Sequence, residues 1–315
     1  MPNARSDLQA VHCSEPDPVL TVRATVMERS QAERSDGQRT PTSHPGPILR
    51  WAGGKRYLIQ ELLSQLPPRV NQRRYHEPFL GAGSLFFALN PQRAVLADAN
   101  EHLVRCYEKV RDDPDGIAIY LREHAKNTGE KYFYQVRRLY NSSSFSTAQA
   151  ARFVYLNRTC FNGIFRVNRQ GEFNVPYGWK EPPPLPDRAH LREAGIALEN
   201  AKLHAVPFEE ALKYVRRNDF VYLDPPYPPL NGTANFTHYT ADRFDTTDQA
   251  RLALEVRRIA DLGALFMMSN ADTYLVRRLY AGFAMKRLKV TRFITCKAVK
   301  HAVRELLITN YDVGL

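Results

Sequence analysis

One stretch in the first third of the chain narrows the fold more than any other. His76-Glu77-Pro78-Phe79-Leu80 runs into Gly81-Ala82-Gly83, the segment SLFFAL that follows reads as a helix start, and Ala94-Val95-Leu96-Ala97 is a short apolar strand ending at Asp98. Strand, glycine turn, helix, strand and acid, in that order, open a parallel sheet wound in the Rossmann manner. Gly81 and Gly83 lack a Cβ, so the backbone there can pass close to a bound molecule. A carboxylate at the tip of the second strand suits ribose hydroxyls. The third glycine of a dinucleotide fingerprint is missing, and a tight turn beside a surface acid is the other reading of the same residues.

The remainder of the chain agrees with an α/β fold. Residues 57–66 carry apolar positions at helical spacing, and a helix is expected across 101–111. Asp219-Phe220-Val221-Tyr222-Leu223 is a buried-strand pattern that stops at Asp224-Pro225-Pro226-Tyr227. Residues 248–262 are helical in pattern, and Leu265 to Ser269 is another strand, ending in Asn270. Runs near 286–295 and 304–311 fit an antiparallel pair at a sheet edge, with Lys297, Lys300 and His301 in the connection. A length of 315 residues accommodates one large α/β domain with an insertion, or two modest domains. The expected division is a disordered tail over 1–47, a first α/β part over 48–112, an insertion over 113–190 and a second α/β part over 191–315. The tail is rich in Pro, Ser, Thr and Arg without a sustained period, and its five basic and six acidic residues nearly balance.

Composition removes several classes. No apolar run approaches the about 18 residues of a membrane span, and Arg5, Asp7, Arg23, Glu28 and Arg29 interrupt any signal core. Cys13, Cys106, Cys160 and Cys296 lie far apart with no Cys-x-x-Cys pair. Neither a metal site nor a disulfide framework is therefore expected, and a reducing cytoplasm is the natural compartment. A formal charge of +11 suits a polyanionic partner or plain solubility, so its placement matters more. Residues 131–170 hold seven Lys or Arg (Lys131, Arg137, Arg138, Arg152, Arg158, Arg166, Arg169), nine Phe or Tyr, and no Asp or Glu. Cations interleaved with aromatics suit a surface that meets phosphates and stacks on bases. A helical subdomain whose aromatics form its own core is the alternative, above all over 132–156.

Asp224-Pro225-Pro226-Tyr227 is the candidate for chemistry, and a strand-ending turn is its plainer reading. The exocyclic amine of adenine is a poor nucleophile, because its lone pair is delocalised into the ring. A carboxylate from Asp224 and a backbone carbonyl from Pro225 can accept its two N–H bonds and turn the lone pair toward an electrophile. The paired prolines stiffen the turn, and Tyr227 can stack on an extruded base. Upstream, Trp51-Ala52-Gly53-Gly54-Lys55 combines an apolar face, two glycines and a donor for a carboxylate. A helix cap with a packed tryptophan is the plainer reading of that segment.

These three motifs, in this order, resemble those of the DNA adenine methylase family. They match its alpha group, in which target recognition lies between the cofactor and catalytic motifs. The similarity runs over roughly 48–312. It extends to Tyr155-Leu156-Asn157-Arg158, Phe161-Asn162-Gly163, Gly171-Glu172-Phe173-Asn174-Val175-Pro176 and Thr233-Ala234-Asn235-Phe236-Thr237. The resemblance implies a Rossmann-like S-adenosylmethionine-dependent methyltransferase fold with an inserted, mainly helical target-recognition domain. It implies methyl transfer to N6 of an adenine flipped out of double-stranded DNA, within GATC, in the cytoplasm of a bacterium or of a phage host. No metal, membrane or obligate protein partner is implied.

Carried onto matching positions, the resemblance assigns cofactor contact to Trp51, Lys55, Asp98 and Asp224 and to the backbone from Phe79 through Gly81 to Gly83. Asp224, Pro225, Pro226 and Tyr227 would hold the base. Phe161 and Asn162 would wedge into the stack, Arg166 would read a guanine, and Ile164 and Pro176 would touch neighbouring bases. Arg50 stands where the family carries Lys for the first guanine. The final loop, Thr295 to Arg304, departs from the family; its Lys297, Lys300 and Arg304 suit phosphate contacts, and a solvated loop is the alternative. Gly178 to Pro184 departs from the aromatic and basic run expected there. Two other readings stay open: a methyltransferase on another planar amine, such as RNA adenine or protein glutamine, and a non-catalytic DNA-binding relative. Asp224 and the inserted segment speak against the first; Asp224, Tyr227, Lys55 and Asp98 together speak against the second.

Overall fold

Among the described residues seven strands form one sheet: β1 (Tyr75–Glu77), β2 (Ala94–Asp98), β3 (Ala201–Ala205), β4 (Phe220–Leu223), β5 (Leu265–Ala271), β6 (Ala284–Phe293) and β7 (Lys300–Thr309). Their order is β3-β2-β1-β4-β5-β7-β6. Strands β1 to β5 pair in parallel, whereas β7 runs against both β5 and β6. The computed structural model describes residues 45–127, 129–178, 184–227, 244–293 and 300–312, with backbone alone at 289–293 and 300–304. All of these belong to one compact unit.

Side chains alternate between the faces of a strand, so an apolar run such as Phe220 to Leu223 supplies two cores at once. Tyr75, Leu96, Phe220, Tyr222, Met267 and Leu307 enter one apolar cluster, and Val221, Leu223, Phe266, Met268, Leu306 and Ile308 enter the other. The first cluster is completed by α1 (Ile59–Ser64), α2 (Ser84–Leu89), α3 (Glu101–Asp112), α4 (Pro114–Ala125), α5 (Glu130–Ser142), α6 (Thr147–Thr159) and α7 (Arg188–Leu198). The second is covered by α8 (Phe208–Leu212), α9 (Thr246–Leu262) and α10 (Tyr274–Leu279). The result is a three-layer α/β fold wound in the Rossmann manner. No helix among the described residues is long and apolar enough to cross a membrane.

Local signals explain the helix starts. Asn100, Asp113 and Ser146 each accept a hydrogen bond from a backbone amide in the first turn of the helix they cap. Asp245 and Asp248 form a reciprocal capping box on α9. The expected antiparallel pair stands at one edge of the sheet, with β7 between β5 and β6 and β6 outermost.

The long β2-to-β3 connection contains α3 to α7. Helix α6 is its centre, with Ala150, Ala151, Phe153, Val154, Tyr155 and Leu156 all buried. Of the aromatics in 131–170, Phe133, Tyr140, Phe153, Tyr155 and Phe165 are interior, whereas Phe161 is 43% exposed. Arg152 is interior too, donating to Gln149 Oε1 at 3.3 Å. For most of that segment the aromatics thus make a subdomain core. Past α6 the chain leaves helix, and residues 160–178 fold on themselves through the bridges Cys160↔Tyr177 and Val167↔Phe173. Residues 1–44 of the expected tail lie outside the described residues. Pro45 is buried, and the Gly46 carbonyl accepts a 2.6 Å hydrogen bond from His190 Nε2 on α7.

Candidate active site

The loop between β1 and α2 is tied to β2 and α3 atom by atom. Leu80 N–H donates to the Ala97 carbonyl at 2.9 Å, Gly81 N–H to Asp98 Oδ2 at 3.0 Å, and Asn100 N–H to Asp98 Oδ1 at 2.9 Å. Tyr107 on α3 donates its hydroxyl to the Gly81 carbonyl at 3.2 Å. Gly81 has φ +46°, and a Cβ there would lie 2.7 Å from Trp51 Cδ1. Glycine is what lets the indole lie against the loop. Trp51 in turn stacks on Phe165, with ring centroids 6.3 Å apart and planes 13° from parallel. The Phe79 ring packs instead on Phe208 and Phe244. Burial pushes the Asp98 carboxyl above its ordinary range, against the pull of its two amide partners.

Glu77 ends β1 directly before this loop and is buried. It accepts the Tyr75 hydroxyl at 2.8 Å. Desolvation, in part offset by that bond and reinforced by the Asp224 charge, pushes it up to about 8. Glu77 therefore keeps its proton at neutral pH.

Asp224 follows β4 at its carboxyl end, where open parallel sheets bind ligands. Lys55, 3% exposed, sets Nζ 2.6 Å from Asp224 Oδ1 and donates to Oδ2 at 2.8 Å and to the Gly53 carbonyl at 2.9 Å. The same ammonium stands 4.8 Å from the centroid of the Tyr227 ring. Two motifs 169 residues apart thus meet in one contact. Sequence reasoning gave Lys55 a carboxylate partner without naming it; among the described residues that partner is Asp224.

Groups outside the motifs hold the turn. Buried Gln249 on α9 donates to the Pro226 carbonyl at 3.0 Å and accepts from Asn270 Nδ2 at 3.3 Å. Tyr227 donates its hydroxyl to Glu305 Oε2 at 3.0 Å, and Tyr57 donates to Glu305 Oε1 at 2.8 Å. Gln249, Glu305 and Tyr57 escaped sequence reasoning. Asn270 was legible only as the end of a strand.

The turn at Phe161 to Gly163 is tied to Arg50 by one side chain. Asn157 on α6 accepts Arg50 N–H at 2.8 Å and donates to the carbonyls of Arg50 and Gly163 at 2.6 and 3.2 Å. Gly163, at φ +64°, has room for no Cβ, which would meet the Arg50 Cβ at 2.6 Å. Phe161 and Asn162 form the exposed turn before it, and Phe161 N–H donates to the Pro176 carbonyl at 2.9 Å. Arg166 is exposed, with Nε donating to Asn174 Oδ1 at 2.7 Å. Ile164 is half-buried against the first cluster. Burial, followed by the charges of Arg50 and Arg56, lowers the Arg158 guanidinium, so three arginines share this patch. Lys300 opens β7 opposite Phe293. Lys297 and the segment Thr233 to Thr237 lie outside the described residues.

A parallel sheet with one reversed strand, a glycine loop beneath a strand-tip acid, and an Asp-Pro-Pro-Tyr turn gripped by a lysine define a methyltransferase acting on a planar amine. The model of the family described as D12 class N6 adenine-specific DNA methyltransferase matches residues 51–294, and the chain belongs to that family. It is 37% identical to the type II methyltransferase M.MjaIII of Methanocaldococcus jannaschii, over 84% of this chain and 99% of the relative. It is 35% identical to the DNA adenine methylase of Escherichia coli K12, over 85% of this chain and 96% of that one. Against the DNA adenine methylase of Vibrio cholerae the identity is 34%, over 82% and 94%. Among the readings left open by the sequence, adenine-specific DNA methylation is the one this family performs.

Methyltransferases of this kind draw on S-adenosylmethionine, and the residues present suit it. Each Asp98 oxygen retains a lone pair beyond its backbone bond, the indole of Trp51 offers an apolar wall, and Gly81 lets that indole lie close against the loop backbone.

Proposed function

We propose that the protein methylates N6 of an adenine everted from duplex DNA, within GATC. The observation that carries this reading is the junction of Lys55, Asp224 and Tyr227 at the carboxyl end of β4. S-adenosylmethionine, when bound, supplies an activated methyl group on a sulfonium centre. Trp51, Gly81, Gly83 and Asp98 form its cradle. Asp224 and the Pro225 carbonyl accept the N–H bonds of the amine and draw its lone pair out of the ring system. Lys55 fixes the carboxylate in place, and the Asp224 carboxylate is the first acceptor for the proton the amine sheds. Tyr227 stacks on the base.

Site reading falls to the insertion over 113–190. The Arg166 guanidinium, with Nε already held by Asn174, turns its remaining N–H groups to guanine O6 and N7. Phe161 and Asn162, on an exposed turn, fill the gap the adenine leaves. Ile164 and Pro176 offer apolar contact to neighbouring bases, including a thymine methyl. Arg50, Arg56 and Arg158, with Lys297 and Lys300, supply charge for guanine and phosphate.

DNA from methylation-deficient cells expressing the protein, sequenced with modified-base detection, tests this reading. N6-methyladenine at GATC is expected. Methyladenine at another site removes the GATC assignment, and unmodified DNA removes the whole reading.

A further inference from the structure

One buried carboxyl group stands out against its strand. Glu305 is 0% exposed and is followed by the buried apolar run Leu306-Leu307-Ile308. Burying a carboxyl group among such residues is unfavourable unless its oxygens are bonded. Glu305 lies opposite Ala271, the last residue of β5, and Leu288 of β6. The reversed direction of β7 thus brings it to the carboxyl end of the sheet, the end that carries Asp224. Its two oxygens accept the hydroxyls of Tyr227 and Tyr57, at 3.0 and 2.8 Å. Tyr57 lies two residues beyond Lys55, the cation that faces the Tyr227 ring. The Tyr227 side chain is consequently held at its hydroxyl by Glu305 and at its ring by Lys55.

We infer that Glu305 is a positioning residue for methyl transfer: through the Tyr227 hydroxyl it fixes the plane of the ring on which the everted base stacks. Tyr57 occupies the other carboxyl oxygen and so sets the orientation of the group. The inference rests on the reading of Tyr227 as the stacking platform. Stacking depends on ring separation and tilt, and a tyrosine freed at its hydroxyl can swing about its side-chain torsions. Misplacing the base lowers the rate of the chemical step more than it weakens DNA binding.

The test compares Tyr227→Phe, Glu305→Gln, Glu305→Leu and the double variant Glu305→Leu/Tyr227→Phe. Tyr227→Phe and Glu305→Leu should each lower kcat about tenfold, with the KM for cofactor and the Kd for DNA within about twofold. Glu305→Gln, which keeps an acceptor oxygen, should retain kcat within about threefold. The double variant should be no slower than either single one, because both remove the same bond. A 2-aminopurine at the target adenine should emit more strongly in both single variants, as a base everted but less well stacked. Glu305→Leu lowering kcat as much in the Tyr227→Phe background as in the wild type would overturn the inference. So would Tyr227→Phe with wild-type kcat and emission. Should Glu305→Leu fail to fold in a thermal melt, Tyr227→Phe and Glu305→Gln carry the test. Tyr227→Ala is the separate control: wild-type kcat there removes the stacking platform itself, whatever the Glu305 variants do.

Discussion

Gly81 holds a left-handed backbone with an indole 2.7 Å from where a Cβ would stand. Gly81→Ala is expected to cost about 1–3 kcal/mol in backbone strain and to shift Trp51. Cofactor affinity, measured by calorimetry, should fall with it; unchanged affinity would mean that Trp51 does not line the cofactor site. Arg166→Ala should relax discrimination at one guanine by about 1–3 kcal/mol. An equal loss of binding on every sequence would mark Arg166 as a phosphate contact instead. Residues such as Asp224, Lys55 and Gly81 were legible because each sits in a short pattern with its own chemistry. Glu305 was not, because a lone acid in an extended run reads as solvent-facing. Only pairing between two other strands buries it. Gln249 likewise sits in an ordinary helical pattern, and nothing local says that its amide reaches the Pro226 carbonyl.

Among the elements, β2, β4, β5 and the helices that begin at Ser84, Glu101 and Thr246 were readable from periodicity and punctuation. Strand β3 was not: Ala201 to Ala205 alternates weakly, with Lys202 and His204 inside it, because it is an edge strand buried on little of its surface. The cation-and-aromatic segment admitted two readings for a different reason. Composition cannot say which aromatics point inward, and the β2-to-β3 connection turns most of them into its own core. Residues 160–178 have no helical or strand period at all, so their self-folded shape was beyond a pattern reading. Asn157 ties this segment to the chain at Arg50: its side chain binds Arg50 on both backbone groups and the Gly163 carbonyl. Asn157→Ala leaves these groups without their partner. A loss of about 2–3 kcal/mol in urea unfolding is expected, with a larger fall in DNA affinity than in cofactor affinity. Equal losses for both ligands would show that Asn157 supports the fold generally rather than the turn at Phe161.

For the whole molecule, charge and burial set the response to pH. Folded Glu77 keeps its proton up to about pH 8, whereas its ordinary value is 4.5. Between those values the folded chain binds more protons at this site than the unfolded chain, so its contribution to stability falls as pH rises across the window. Unfolding measured at pH 5 and pH 8 should show Glu77→Gln losing less stability than the wild type over that interval; parallel losses would mean that Glu77 ionises normally. The seven-stranded sheet brings the lysine near the front of the chain onto the carboxylate after β4, and catalysis is assigned to that junction. The most direct measurement is single-turnover methyl transfer to a duplex with one GATC by Asp224→Ala, alongside its DNA affinity. A rate lowered by about 10³ or more, with DNA affinity within about tenfold of wild type, is expected. A rate near that of the wild type would contradict the assignment of the amine to Asp224.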